Sequence, residues 1–255
     1  MVGDPVAHSL SPRMHTAALA ALAMHGEYLA IHVPEGEFDD AVAHLIACDF
    51  RGVNVTLPHK AAAADIGTPD DEVVGEIHVA NCLSFGDEVR ARNTDVPGFL
   101  APLDGVPVGE ALILGAGGAA AASAYALLHS GWSVALWSRT AERARGLADL
   151  LRQFGDTEAR EAPSPEGCSL VVNATPIGLS PGEMPPLDWQ ALVAGAIVYD
   201  LSYRDVPTDL LVEASRWGNR TIDGREMLVE QGALSLEWWL SARAPREAMR
   251  AAVGL

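Results

Sequence analysis

Apolar and polar positions along the 255-residue chain follow two periods, one close to 3.6 and one of short unbroken apolar runs. Residues 11–24 read as a helix, with Ser11 as N-cap, Pro12 at its first position and an alanine-rich body. Residues 28–33 read as a strand. Residues 36–47 read as an amphipathic helix carrying Phe38, Val42 and Leu45, and residues 53–57 as a short strand. Ahead of them, Met1 to Pro5 leaves room for only a stunted first strand before Gly and Pro signal a turn. Further on, residues 111–114, 133–137, 170–173 and 197–201 are apolar enough for buried strands. The pattern predicts helices over 119–130, stopped by Gly131, and over 208–217, capped by Thr208 and ended by Gly218. Two more close the chain over 227–241 and 245–253.

Strands alternating with helices predict an α/β fold with partly parallel sheets. Between residues 97 and 109 stand Pro97, Gly98, Pro102, Gly105, Pro107 and Gly109, a run of breakers that predicts a linker between two domains. Just beyond it, Gly115-Ala-Gly117-Gly118-Ala-Ala120 follows a strand and opens a helix inside a βαβ unit. In that context the glycines allow a tight turn and close backbone approach to a pyrophosphate, which the helix N-terminus faces. The loop therefore predicts a dinucleotide. The second strand of the unit ends in Trp137-Ser138-Arg139-Thr140 and lacks the acid that would accept from an NAD ribose. Arg139, Thr140 and Arg143 instead offer guanidinium forks and a hydroxyl to a 2′-phosphate, so the reading is NADP.

Composition narrows the class. Half the residues are hydrophobic (49%) and 20% are charged, a balance that buries a core and leaves no disordered tract. The net charge of −17 opposes binding to nucleic acid or to an anionic membrane. Three scattered cysteines, Cys48, Cys82 and Cys168, fit neither a disulfide framework nor a metal site, and the histidines have no ligand spacing. The expectation is a cytoplasmic protein, monomer or homodimer, that acts on a small molecule without a metal.

Lys60, Asn81 and Asp95 stand out in the first domain, each in a short motif bordered by apolar or turn residues. A ketone reduced by hydride must gain a proton, and a lysine held by a carboxylate is a suitable donor. Each also has a plain alternative: Lys60 as a surface charge, Asn81 as a turn former, Asp95 as a cap.

Taken together, the motifs resemble the shikimate dehydrogenase family over nearly the whole chain. They are His8-Ser9-Leu10-Ser11-Pro12, Asn54-Val-Thr56-Leu-Pro-His-Lys60, Asn93-Thr-Asp95, the glycine loop, Ser138-Arg-Thr140 with Arg143, Asn173-Ala-Thr-Pro176, Asp200 with Tyr203, and Gln231-Gly-Ala233. The resemblance implies NADPH-linked reduction of 3-dehydroshikimate to shikimate on the way to aromatic amino acids, with a quinate or quinate/shikimate dehydrogenase as the neighbouring alternative and a non-catalytic homologue as a different class. It implies a substrate domain of residues 1–101 and 225–255 with a mostly parallel sheet, and a Rossmann-type doubly wound NADP domain of residues 102–224, the last helices returning to the first domain. In that reading Ser9, Ser11 and Tyr203 bind the substrate carboxylate, and Thr56, Asn81, Asp95 and Gln231 hold ring hydroxyls. Lys60 and Asp95 move the proton. Gly115, Ala116, Gly117, Gly118 and Ala119 cradle the cofactor's phosphates, Ser138, Arg139, Thr140 and Arg143 its 2′-phosphate, and Thr175, Leu201 and Gly224 its nicotinamide. The chain departs from the family at Cys82, where a threonine is usual, at Ser138 for Asn, and at Asp205 for Pro.

Overall fold

In the computed structural model, which describes residues 1–255, the chain divides into two units with separate cores. One is Met1–Gly98 with Leu228–Leu255, the other Phe99–Met227. Both divisions fall inside helices, the first at the start of the breaker-rich stretch 97–109, between Gly98 and Phe99, so that the rest of that stretch belongs to the second unit.

The first unit begins with β1 (Val2–Gly3), then α1 (Ser11–Ala21), β2 (Ile31–His32), α2 (Phe38–Ala47), β3 (Gly52–Asn54), α3 (Lys60–Ile66), β4 (Thr68–Pro69), α4 (Glu72–Ile77), β5 (Cys82–Phe85) and β6 (Val89–Arg92). β1 pairs in parallel with β2, and Val2 bridges in parallel to Val55. The four-stranded sheet runs β3-β5-β6-β4. Its first two pairings are antiparallel and only β4 with β6 is parallel, so the expected mostly parallel sheet is in fact mixed. The cause is the connection between β5 and β6, residues 86–88, which closes a hairpin but is far too short for a parallel crossover.

Three boundaries differ from the sequence reading. The strand expected over 28–33 contracts to β2 because its partner β1 is two residues long. The strand expected over 53–57 ends at Asn54, ahead of Pro58, which has no N–H to give a ladder. Helix α1 includes Ser11, so Ser11 is not its cap; Leu10 holds that position without a side-chain cap bond, and Ser9 Oγ, just upstream, accepts from the Ser11 amide at 3.2 Å. The core of this unit gathers Val2, Phe38, Val42, Leu45, Val53, Val55 and Leu83 between helices and sheet.

α5 (Asp95–Leu100) leads into the second unit, where β7 (Glu110–Leu114), α6 (Gly118–His129), β8 (Ser133–Trp137), α7 (Ala141–Leu151), β9 (Thr157–Ala159), β10 (Leu170–Asn173), β11 (Ile197–Asp200), α8 (Asp209–Arg216) and β12 (Arg220–Asp223) follow. Every pairing is parallel and the order is β12-β11-β10-β7-β8-β9. This is the doubly wound order in which the first strand lies beside the fourth, and ligands of such sheets bind outside the strands' carboxyl ends. The four inner strands β11, β10, β7 and β8 are buried on both faces, which explains the unbroken apolar runs 134–137 and 170–172.

α9 (Gly224–Leu240) and α10 (Arg246–Val253) end the chain. α10 packs on α1, and Arg246 ties it to α9 through Glu230 at 2.9 Å and Glu237 at 2.6 Å. No helix is long and apolar enough to cross a membrane.

Candidate active site and cofactor cradle

In the first unit, the turn after β3 is closed by the His59 amide donating to the Thr56 carbonyl, and it delivers Lys60 as the first residue of α3. His59 is buried, with its ring on Phe38 and Nε2 against the Val33 carbonyl at 2.7 Å, so it packs the turn and does not face Lys60's amine. Lys60 is the chain's only lysine. Its Nζ lies 2.6 Å from Asp95 Oδ2, and both side chains are largely buried. Asp95 opens α5, yet it is Asn93 Oδ1 that accepts from the Val96 amide, so the capping role falls to Asn93 and the Asp95 carboxylate is left for lysine.

The other carboxylate oxygen, Oδ1, accepts from Asn81 Nδ2 at 2.8 Å. Asn81 is itself fixed: its Oδ1 accepts from the Thr94 amide at 2.7 Å, and its Nδ2 also reaches Thr94 Oγ1 and Gln231 Oε1. Gly98 lets α5 approach α9 at this point, since a Cβ there would lie 2.9 Å from Gln231. The structure thus joins Lys60, Asp95, Asn81 and Gln231 in one buried network. Ser9, Ser11 and Thr56 lie in the same unit outside that network, Ser9 and Thr56 half-buried and Ser11 buried. Tyr203 belongs to the second unit, in the loop after β11.

Four further members, Asn54, Ser235, Tyr28 and Thr94, were given no role by the sequence. Asn54 Nδ2 donates to Ser235 Oγ at 2.8 Å, its Oδ1 accepts from Tyr28 Oη at 2.7 Å, and Ser235 also meets Thr94 at 3.2 Å. A lone Asn between valines in a strand was the available signal for Asn54; a helical serine gives none. Cys82 sits beside Ser235 with no exposed surface, and burial pushes its thiol up to about 12. It fills space and is not a reactive thiol.

In the second unit, Gly115 has φ +127°, and a Cβ there would lie 2.9 Å from the Ala174 carbonyl oxygen. Gly117 differs. Its φ of −102° suits any residue, and a Cβ would meet no protein atom within 4 Å. The protein's own packing does not require a glycine there, whereas a phosphate lying on the N-terminus of α6 does. Ala116, Gly118 and Ala119 complete the loop, half-buried, and Ala120 is fully buried where α6 meets the sheet. These residues fit a dinucleotide.

At the end of β8, Arg139, Thr140 and Arg143 are exposed, and Ser138 Oγ lies 3.4 Å from the Thr140 amide. Thr140 precedes α7 without capping it through its side chain. Arg145, Arg152, Arg160, Arg204, Arg216 and Arg225 each hold a carboxylate, but Arg139 and Arg143 hold none. Exposed and without a carboxylate partner, these two guanidiniums at the end of β8 are open to another anion. They suit a phosphate.

Thr175, Leu201 and Gly224 meet at the carboxyl ends of β10, β11 and β12. The Leu201 amide donates to the Asn173 carbonyl at 3.0 Å, and a Cβ on Gly224 would lie 2.6 Å from the Leu201 carbonyl oxygen. Beneath them Asp200 is fully buried, and burial pushes its carboxyl up to about 6 against the hydrogen bonds it accepts from Thr208, Asn173 and Ser202.

Comparison with known proteins gives relatives that include a 5-ketofructose reductase of Gluconobacter sp. strain CHM43, whose ligand-free crystal structure is 30% identical with a TM-score of 0.87, covering 99% of this chain and 95% of that one. A family model described as the shikimate dehydrogenase substrate binding domain matches residues 1–83, and one described as the shikimate 5′-dehydrogenase C-terminal domain matches residues 224–253. The shikimate dehydrogenase (NADP(+)) of Methanocella arvoryzae is 40% identical over 98% of this chain and 95% of its own. The crystal structure of Thermus thermophilus shikimate 5-dehydrogenase in complex with NADP(H) and shikimate is 36% identical with a TM-score of 0.89, covering 99% of this chain and 96% of that one. Quinate dehydrogenase from Corynebacterium glutamicum in complex with NAD is 25% identical with a TM-score of 0.88, covering 98% and 96%.

Proposed function

The chain belongs to the shikimate dehydrogenase family, and from that premise we propose that it catalyses the reversible reduction of 3-dehydroshikimate to shikimate with NADPH. The observation that carries the reading beyond kinship is the chain's only lysine, held 2.6 Å from a buried aspartate. The first unit is the substrate side and the second the cofactor side.

When bound, the nicotinamide supplies a hydride to the ketone carbon. Reduction puts negative charge on the former carbonyl oxygen, and Lys60 Nζ gives that oxygen its proton; in the oxidising direction the same nitrogen takes it back. Asp95 keeps the lysine charged and aimed, and Asn81 keeps Asp95 turned toward it through Oδ1. Thr56, Asn81, Asp95 and Gln231 hold the ring hydroxyls, and Ser9, Ser11 and Tyr203 the carboxylate. Backbone N–H groups from Gly115 to Ala119 face the pyrophosphate, Ser138, Arg139, Thr140 and Arg143 the 2′-phosphate, and Thr175, Leu201 and Gly224 the nicotinamide. The free thiols fit a reducing compartment, and we assign the enzyme to the cytoplasm.

A spectrophotometric assay tests this directly, with NADPH or NADH against 3-dehydroshikimate or 3-dehydroquinate. Oxidation of NADPH by 3-dehydroshikimate, faster than any other pairing, is expected. A preference for NADH with 3-dehydroquinate makes it a quinate enzyme, and no turnover in any arm refutes the reading.

A further inference from the structure

Asp200 ends β11 with no exposed surface and no cation against it; neutral donors alone satisfy its carboxylate. Oδ1 accepts from Asn173 Nδ2 at 2.8 Å and from the Ser202 amide at 3.0 Å, while Oδ2 accepts from the hydroxyl of Thr208, the residue that caps α8. The bonds continue outward and return. Asn173 Oδ1 accepts from the amide of Thr175 at 3.1 Å and from its hydroxyl at 2.7 Å. The carbonyl of Thr175 then accepts from Ser202 Oγ at 2.9 Å, and the Ser202 amide closes the circuit on Asp200.

A buried carboxylate without a counter-ion is costly, and an apolar strand end would avoid that cost. What the carboxylate achieves here is geometric. The circuit Asp200–Asn173–Thr175–Ser202 commits the amide, the carbonyl and the hydroxyl of Thr175, and it fixes the two residues flanking Leu201. These are the carboxyl ends of β10 and β11, where doubly wound sheets take their ligands.

We propose that Asp200 is a positioning residue for the cofactor: through this closed circuit it sets Thr175 and Leu201 for the nicotinamide half of NADP, which its own buried side chain does not touch. The proposal rests on the cofactor reading above and goes beyond it in assigning nicotinamide affinity to a side chain one layer below the ligand.

The test measures dissociation constants by fluorescence titration for NADPH and for adenosine 2′,5′-bisphosphate, a probe that carries the adenine half alone. Asp200→Ala opens the circuit and leaves Asn173 and Ser202 without their acceptor, so NADPH affinity falls about tenfold or more while the bisphosphate is held within about twofold. Asp200→Asn recovers NADPH affinity to within about threefold, because the amide oxygen accepts both donors on Oδ1 and the Thr208 hydroxyl can accept from its NH₂. Equal weakening of both ligands by Asp200→Ala, unchanged NADPH affinity, or an Asn variant as weak as the Ala variant overturns the proposal. Should Asp200→Ala not fold, Ser202→Ala removes only the bond to Thr175; a loss of about threefold for NADPH alone is expected, and no loss overturns the proposal. Failure of the unaltered protein to bind NADPH would instead strike the cofactor reading itself.

Discussion

The two glycines that bracket Ala116 make a sharp prediction, because they are glycines for different reasons. Gly115→Ala forces a side chain onto a backbone with φ +127° and drives its Cβ to 2.9 Å from the Ala174 carbonyl, a contact with backbone that cannot swing away. Backbone strain of this kind costs about 1–3 kcal/mol, and the clash adds to it, so a loss of roughly 3 kcal/mol is expected. For a domain of this size that lowers Tm by roughly 6–12 °C. Gly117→Ala meets no protein atom within 4 Å and needs no unusual dihedral. The lower chain entropy of alanine and its poorer fit at an N-cap offset one another, leaving stability within about 1 kcal/mol of the native value. The added methyl instead occupies the place where phosphate must approach, and NADPH affinity falls about tenfold or more. Differential scanning calorimetry and NADPH titration of both variants decide it. A Gly117→Ala protein that binds NADPH like the native one, or a Gly115→Ala protein that melts like it, would refute the separation of roles.

Lys60→Met is expected to lower kcat by about 10²–10⁴-fold with little change in KM, since a proton donor acts in the transition state; steady-state kinetics showing a raised KM with kcat intact would make Lys60 a binding residue. Arg139→Ala and Arg143→Ala should each weaken NADPH by roughly tenfold while leaving NADH unchanged, and equal losses for both cofactors would remove the 2′-phosphate role. Asp200 should leave its mark on stability against pH. Burial raises its folded carboxyl from 3.8 to about 6, so the protonated form is favoured in the fold and stability falls as pH rises through that window, by roughly 3 kcal/mol, then levels off above it. Asp200→Asn does not titrate, so the native protein should lose stability relative to it between about pH 4 and 7 in thermal melts; parallel curves would contradict the assignment.

Legibility in the sequence followed the range of the interaction. Residues 133–137 and 170–173 were readable because a strand buried on both faces carries an unbroken apolar run, here 134–137 and 170–172, and needs no knowledge of its neighbours. Strand 28–33 was overdrawn for the opposite reason: its length depends on β1, a partner distant in the chain. Asp95 could be singled out by its motif, but whether it caps α5 or holds Lys60 depends on Asn93 taking the cap. Ser235 left no trace because its partners, Asn54 and Thr94, come from a strand and a turn far away in sequence. The hairpin of β5 and β6 was likewise hidden, because what sets it is a register that buries Leu83 opposite Ala91, and that register exists only once the two strands meet.

Two buried aspartates show how identical chemistry is turned to separate ends by what faces it. Asp95 has a cation on one oxygen and an amide on the other, an arrangement that keeps the charge and couples it to a group able to give a proton. Asp200 has three neutral donors and no cation, an arrangement that ties the ends of β10 and β11 to the cap of α8. On the proposed mechanism, exchanging the partners would not exchange the roles: a lysine beside Asp200 would relieve its burial without supplying a donor to the substrate, and neutral donors around Asp95 would leave the ketone oxygen without its proton. On that reading, the placement of the chain's single lysine beside Asp95 is what separates the proposed proton-handling carboxylate from the proposed positioning one.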